Sequence, residues 1–221
     1  MKYELILFDL DGTLIDTLEA ISKVINMTMK EMNLKNYSLE ESREYIGYGV
    51  KGIVDRIFYV EKYDDNKVNP KKMLEIIKKH YKVYFNYNVK LYDNIEILLD
   101  FINDNNIKMG IVTNKDNDLA VKTANENLSK WKFIEVVGAN DDKHPRKPDP
   151  YGVNMISEKY NISKEKILFV GDMKVDVETA KNAKVDIVYC NWGFGAGKKE
   201  KDIDEKIKVS TVDELIEKIK K

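Results

Sequence analysis

The sequence predicts an α/β protein built on a parallel sheet and interrupted early by an inserted helical bundle. Three observations carry this. Short apolar runs of strand length recur along the chain, helix-period segments separate them from about residue 91 onward, and roughly 70 residues of helical pattern follow the first run. A length of 221 residues fits one large domain or one domain carrying a smaller insert.

The first run, Glu4 to Phe8, is uniformly apolar after its start and ends in Asp and Gly, which suits a strand buried on both faces. A helix is then expected over Asp16 to Met32, with Leu18, Ile21, Val24, Ile25 and Met29 on one face. Ser38 with Glu41 forms a capping-box pattern for a second helix. A third is expected from Gly49 to Tyr59, with Ile53, Val54, Ile57 and Phe58 inward, and a fourth begins at Asn69-Pro70, a good cap followed by a good first-turn residue. Further strands are read at Lys108 to Val112, Phe133 to Val137, Ile167 to Val170 and Asp186 to Tyr189. Between them, Ile95, Leu98, Leu99 and Ile102 share a helical face, as do Leu119, Val121 and Ala124 more weakly. Asp93 with Glu96, and Thr211 with Glu214, read as capping boxes. Domain boundaries follow: residues 1–15 and 87–221 form the α/β part and residues 16–86 the helical insert. Gly193 to Gly197 reads as a glycine-rich loop.

Charge narrows the partners. With 37 Lys+Arg against 38 Asp+Glu, the formal net charge is −1, which gives no broad attraction to nucleic acid or to an anionic membrane. Any anion recognition must therefore be local. The single cysteine, Cys190, and the short apolar segments point to a reducing, cytoplasmic setting without a membrane span.

Four chemistry-bearing segments each follow an expected strand. Asp9 and Asp11 point the same way by strand alternation, at the carboxyl end of the first strand, where open α/β sheets hold ligands. Two carboxylates there call for a hard cation such as Mg²⁺, and Gly12 permits a tight reversal near an anion. Thr113 and Asn114 offer a hydroxyl and an amide to phosphate oxygens, and Lys147, between Arg146 and Pro148, is delivered from a stiff loop as a point charge. Asp172 and Asp176 add two more acids after the strand ending at Val170. Taken singly, each segment has an ordinary reading: an Asp-Gly turn, a helix cap, an exposed loop, a capped helix. All four at strand ends together favour a shared site.

In order and spacing these segments resemble the haloacid dehalogenase-like hydrolase superfamily over nearly the whole chain. Asp9-x-Asp11-Gly12-Thr13 is similar to its first motif, Thr113 to its second, Lys147-Pro148 to its third, and Gly171-Asp172-x-x-x-Asp176 to its fourth. The resemblance implies a Rossmann-like parallel sheet with helices on both faces and a small, mobile helical cap. It implies Asp9 as nucleophile, Asp11 as general acid and then base, and Thr113, Asn114, Gly12 and Lys147 around the transferring phosphoryl group. Mg²⁺ would be held by Asp9, the Asp11 carbonyl and Asp172, with Asp176 either a ligand through water or a support.

The same resemblance separates activities. Asp11 argues against dehalogenases and phosphonatases, while Gly171-Asp172 and Thr113-Asn114-Lys115 look like phosphatases more than sugar phosphomutases. The expected reaction is hydrolysis of a small phosphomonoester. A phosphomutase or pyrophosphatase of the same fold, and a regulatory module that binds a phosphorylated ligand without turnover, are the alternatives.

Substrate choice rests on Tyr45 to Gly52, which resembles the cap loop of phosphoglycolate phosphatases. Its Gly47 and Gly49 permit close approach, and Arg43 or Lys51 would neutralise a second anionic group. A helix connector with solvated bases reads the same segment equally well. His80 is expected to be a core or surface residue of the insert, His144 is a loop residue too isolated for a metal site, Tyr81, Tyr84 and Tyr87 are expected in packing or at an interface, and Cys190 is expected to be structural.

Overall fold

The computed structural model describes residues 1–140, 143–196 and 203–221. Gly197, named above at the end of its loop, lies outside those residues. The chain separates into two compact units, Met1–Asp16 with Lys90–Lys221, and Thr17–Val89.

The first unit begins with β1 (Leu5–Phe8) and the two-residue β2 (Ile15–Asp16). The intervening helices α1 (Leu18–Glu31), α2 (Leu39–Arg43), α3 (Gly49–Glu61) and α4 (Pro70–Tyr84) make up the second unit. The chain resumes the first unit with β3 (Lys90–Leu91), α5 (Ile95–Asp104), β4 (Lys108–Asp116), α6 (Asn117–Asn127) and β5 (Phe133–Ala139). It closes with α7 (Tyr151–Lys159), β6 (Ile167–Gly171), α8 (Lys174–Ala183), β7 (Asp186–Cys190), β8 (Lys208–Val209) and α9 (Val212–Lys220).

Six strands form one parallel sheet in the order β5-β4-β1-β6-β7-β8. The strand order reverses beside β1, so the chain leaves β1 towards β4 on one side and reaches β6 on the other. That is the switch point where parallel sheets open a crevice at their carboxyl ends. Every residue of β1 is fully buried, as a central strand covered on both faces requires. On one face Leu5 and Leu7 join Ile167 and Phe169, packed with Val153 and Ile156 of α7 and Ala180 and Ala183 of α8.

The second unit is held by the apolar faces of its helices. Leu18, Ile21, Val24, Ile25 and Met29 of α1 are buried, as are Met73, Ile76, Ile77 and Tyr81 of α4. Ser38 and Glu41 complete their capping box, and Asn69 accepts from Lys72 N ahead of Pro70. His80 Nε2 lies 2.8 Å from Glu31 Oε2, joining α4 to α1. Among the described residues no helix is long and apolar enough to cross a membrane.

Several local expectations are corrected. The first helix starts at Leu18 because Asp16 is taken into the β2–β3 pairing with Lys90. The Asp93–Glu96 capping box does not form: Asn94 is the cap residue, in a left-handed conformation with φ 64°, and makes no side-chain cap bond. Asn tolerates that conformation through its short polar side chain. At α9, Thr211 accepts from Glu214 N as expected, but the Glu214 carboxylate accepts from Ser210 N, one residue earlier than the box pattern. The buried face of α6 is Ala120, Thr123 and Ala124, with Val121 exposed, and Phe58 is only half-buried. The strand expected to end at Val112 continues to Asp116 and so carries Thr113, Asn114 and Lys115 within it.

Candidate active site

The carboxyl ends of β1, β4 and β6 bring the four expected segments together. Asp9 N donates to Val170 O at 2.9 Å, so Asp9 continues the β1–β6 pairing and stays buried. Lys147 Nζ lies 2.9 Å from Asp9 Oδ1 and donates to Asp176 Oδ1 at 2.7 Å. The other Asp176 oxygen accepts from the backbone amides of Asp172 and Met173, at 3.2 and 2.9 Å. Asp176 is thereby spent on holding Lys147 and closing the first turn of α8.

Asp172 is fixed from two directions. Thr13 Oγ1 donates to its Oδ1 at 2.8 Å and Phe194 N donates to its Oδ2 at 2.7 Å. The turn that carries Thr13 needs Gly12, whose φ of 94° is unfavourable for any side chain and whose added Cβ would overlap the Asp172 carboxylate. Gly193 is required for space: a methyl there would overlap both the Gly12 carbonyl and Asp172. Trp192 Nε1 donates to Thr13 O at 3.1 Å, tying this loop to the same turn.

Asp9, Asp172 and Asp176 are all buried, and each offers a carboxylate oxygen within 4.8 Å of the others. Burial pushes the Asp9 carboxyl up to about 6; Lys147 pulls it down and Asp176 adds to the rise. Burial, then Asp176 and Asp9, push Asp172 well up too. Burial alone would lower the Lys147 ammonium, but Asp176 and Asp9 outweigh it and raise its pKa. Three buried carboxylates against one lysine leave an excess of negative charge. Oxygen donors under such repulsion fit a hard divalent cation.

Two expectations change. Asn114 was expected at the phosphate, yet its Oδ1 accepts from Lys147 N at 2.7 Å and its Nδ2 donates to Lys147 O at 3.2 Å. The reason is the loop backbone: it lacks a strand partner at Lys147, and the amide of Asn114 satisfies both of its polar groups. Thr113 is buried at the site, its Oγ1 accepting from Lys115 N at 3.3 Å. In the helical unit, Tyr45 to Gly52 is not one loop. It begins just after α2 and its cap residue Glu44, and runs through a short connection into the start of α3, so Gly49 to Gly52 are helical. Gly47 and Gly49 have positive φ. Lys51 is exposed and paired with Asp55 at 2.9 Å, and Arg43 lies 3.5 Å from Glu40.

Sequence reasoning gave no role to three groups that the structure brings into this site. Thr13 and Phe194 N hold Asp172, and Phe194 lies in the glycine-rich loop, to which the sequence alone assigns no function. Lys115, two residues beyond Thr113 on β4, is buried with Nζ 2.9 and 3.2 Å from the oxygens of Asp11. Only the unexpected length of β4 could have signalled that Lys115 faces the same edge.

Comparison with known proteins agrees with this architecture. Residues 6–190 match the family described as haloacid dehalogenase-like hydrolase. The phosphoglycolate phosphatase of Aquifex aeolicus is 31% identical over 189 residues, covering 86% of this chain and 85% of that protein. The phosphoglycolate phosphatase of Aliivibrio fischeri is 26% identical over 197 residues, covering 88% and 86%. Among solved structures, a phosphoglycolate phosphatase-type protein of Lactobacillus delbrueckii subsp. bulgaricus superposes with a TM-score of 0.91 at 22% identity, covering 99% of each chain. CbbY of Rhodobacter sphaeroides, solved in complex with phosphate, gives a TM-score of 0.77 at 19% identity over 96% of each chain. At those identities the two structures speak for the fold. From the family match over most of its length and the 31% identical relative, the chain belongs to the haloacid dehalogenase-like hydrolases.

Proposed function

We propose that this protein is a Mg²⁺-dependent phosphatase that hydrolyses a small phosphomonoester, phosphoglycolate first among them, through a phosphorylated Asp9. The observation that carries this reading is the constellation of Asp9, Lys147, Asp176 and Asp172, buried together where β1 and β6 end. Binding a phosphate needs positive charge. Beside its lysines this site sets a carboxylate, Asp9, at the strand end, which only a reaction requires.

Asp9 Oδ1 is held by Lys147 and by Leu10 N at 2.7 Å, which fixes the carboxylate and presents Oδ2 for in-line attack on phosphorus. The P–O bond to the leaving alcohol breaks as the Asp9–phosphorus bond forms, and Asp11 gives the departing oxygen its proton. Asp11 then takes a proton from water as that water attacks phosphorus, releasing phosphate and restoring Asp9. Lys147 and the hydroxyl of Thr113 offset the charge on the transferring oxygens, with Asn114 holding Lys147 in register. Asp9, the Asp11 carbonyl and Asp172 would hold Mg²⁺, which when bound would supply the positive charge that lets a dianionic ester approach these acids.

Phosphoglycolate is favoured by the names of the relatives, which share 31% and 26% of their residues over most of the chain. In this reading the helical unit is the cap that selects substrate, with Arg43, Gly47, Gly49 and Lys51 as its candidates. A cytoplasmic location belongs to the same proposal.

The test is phosphate release with Mg²⁺ across phosphoglycolate, pyrophosphate, nucleoside monophosphates and sugar phosphates, with Asp9→Asn as control. Release that is fastest with phosphoglycolate and silent in Asp9→Asn supports the reading. No release from any of them, or release that survives in Asp9→Asn, overturns it.

A further inference from the structure

Two lysines serve two sets of acids in this site. Lys147 is engaged with Asp9 and Asp176. Lys115 points from β4 to Asp11: its side chain is 1% exposed, that of Asp11 is 13% exposed, and Nζ reaches both Asp11 oxygens. A buried ammonium is costly unless paired and hydrogen-bonded, so a lysine in this place is held by its interaction with the acid.

Asp11 has need of such a hold. It lies beyond the end of β1, immediately before the Gly12 reversal, where the sheet ladder has ended and an isolated bridge to Ile15 is the backbone pairing. Lys115 has what is required to fix it. It sits on a continuous, buried strand whose residues pair with β1 and β5, and its own amide is tied to Thr113 Oγ1. A rigid strand beside a turn positions a side chain better than the turn itself can.

We infer that Lys115 is a positioning residue for Asp11, holding its carboxyl group where the leaving-group oxygen departs. The inference rests on the proposed phosphatase reading and deepens it. Because Lys115 acts through Asp11, its contribution follows how much the leaving group needs a proton. Esters of weakly acidic alcohols depend on it strongly and a nitrophenolate leaving group scarcely does.

The experiment is kcat/KM, which reports formation of phosphorylated Asp9, for a series from 4-nitrophenyl phosphate to alkyl phosphates. The proteins are wild type, Lys115→Met, Asp11→Asn and the double variant, each with Mg²⁺. Lys115→Met is expected to slow alkyl esters by about 100-fold, the usual cost of misplacing a reacting group by an ångström, and 4-nitrophenyl phosphate by no more than about 3-fold. The double variant should be no slower than Asp11→Asn, and Lys115→Arg should recover part of the alkyl-ester rate. An equal loss on every ester, or losses that multiply in the double variant, would overturn the positioning role while leaving the phosphatase reading intact. If Asp11→Asn itself shows no leaving-group dependence, the acid assignment falls and takes the inference with it. Should Lys115→Met fail to fold, as judged by thermal unfolding, the Lys115→Gln and Lys115→Arg variants carry the same comparison.

Discussion

The strand-end site and the helical unit treat charge in opposite ways. At the sheet edge, Asp9, Asp172, Asp176, Lys115 and Lys147 are buried, and every one of them is fixed by named partners on other segments. In the helical unit, Lys51 pairs with Asp55 one turn along and Lys79 with Glu31, both near solvent. Exposed pairs of that kind contribute little and can be exchanged freely. A buried charge is tolerated only where something holds it, so its identity is informative; an exposed one says little about what the protein recognises.

The sharpest way to break this contrast is to remove a buried acid. Asp9→Asn should lower phosphate release to the uncatalysed background in a protein that still folds, measured by release assay beside thermal unfolding. Next in size is Lys147→Met, which removes the cation between Asp9 and Asp176 and should cost about 10²- to 10³-fold in kcat/KM. Asp176→Asn removes the charge beside Lys147 and turns one of the two accepting oxygens into a donor, so either Lys147 or the amides of Asp172 and Met173 lose their acceptor. Mg²⁺ affinity should fall by about 10- to 100-fold, read by titration calorimetry.

A smaller effect appears in pH dependence. The Asp9 carboxyl, raised from 3.8 to about 6 by burial, retains a proton in the folded chain that the unfolded chain has already released. Its contribution to stability without metal is therefore fullest below about 4 and declines as pH rises through about 6. Thermal unfolding of wild type relative to Asp9→Asn, without metal, should show that decline. The increment in melting temperature on adding Mg²⁺ should grow over the same interval. The smallest effect belongs to the helical unit: Lys51→Ala should change stability by no more than about 0.5 kcal/mol, and a larger change in chemical denaturation would show that the pair with Asp55 is more than a surface contact.

The same contrast explains what was legible in the sequence. Buried strands announce themselves as unbroken apolar runs, and acids or lysines directly after them stand out because nothing else explains their position. Asp9 and Asp172 were readable on those grounds, and Lys147 from the resemblance of its Lys-Pro pair to a family motif. The partner of each was not. Asn114 carries the same amide whether it faces a phosphate or the backbone of Lys147, and only the three-dimensional course of the loop decides between them. Lys115 was hidden because the strand was expected to stop at Val112, whereas it runs on to Asp116. Thr13 and Phe194 N were hidden for a different reason, since their partner Asp172 is 159 residues from one and 22 from the other. In the helical unit, helix faces and caps were largely legible, while the segment around Gly47 mixes helix ends with a turn and has no periodic pattern to read.

The most direct test of the account is chemical trapping of the phosphorylated enzyme. Protein mixed with Mg²⁺ and phosphoglycolate is quenched during turnover and reduced with borohydride, which converts an acyl phosphate to the alcohol, and the peptides are analysed by mass. The account predicts reduction at Asp9 alone, dependent on substrate. Reduction at Asp11 or another acid, or steady phosphate release with no trapped residue, would contradict it.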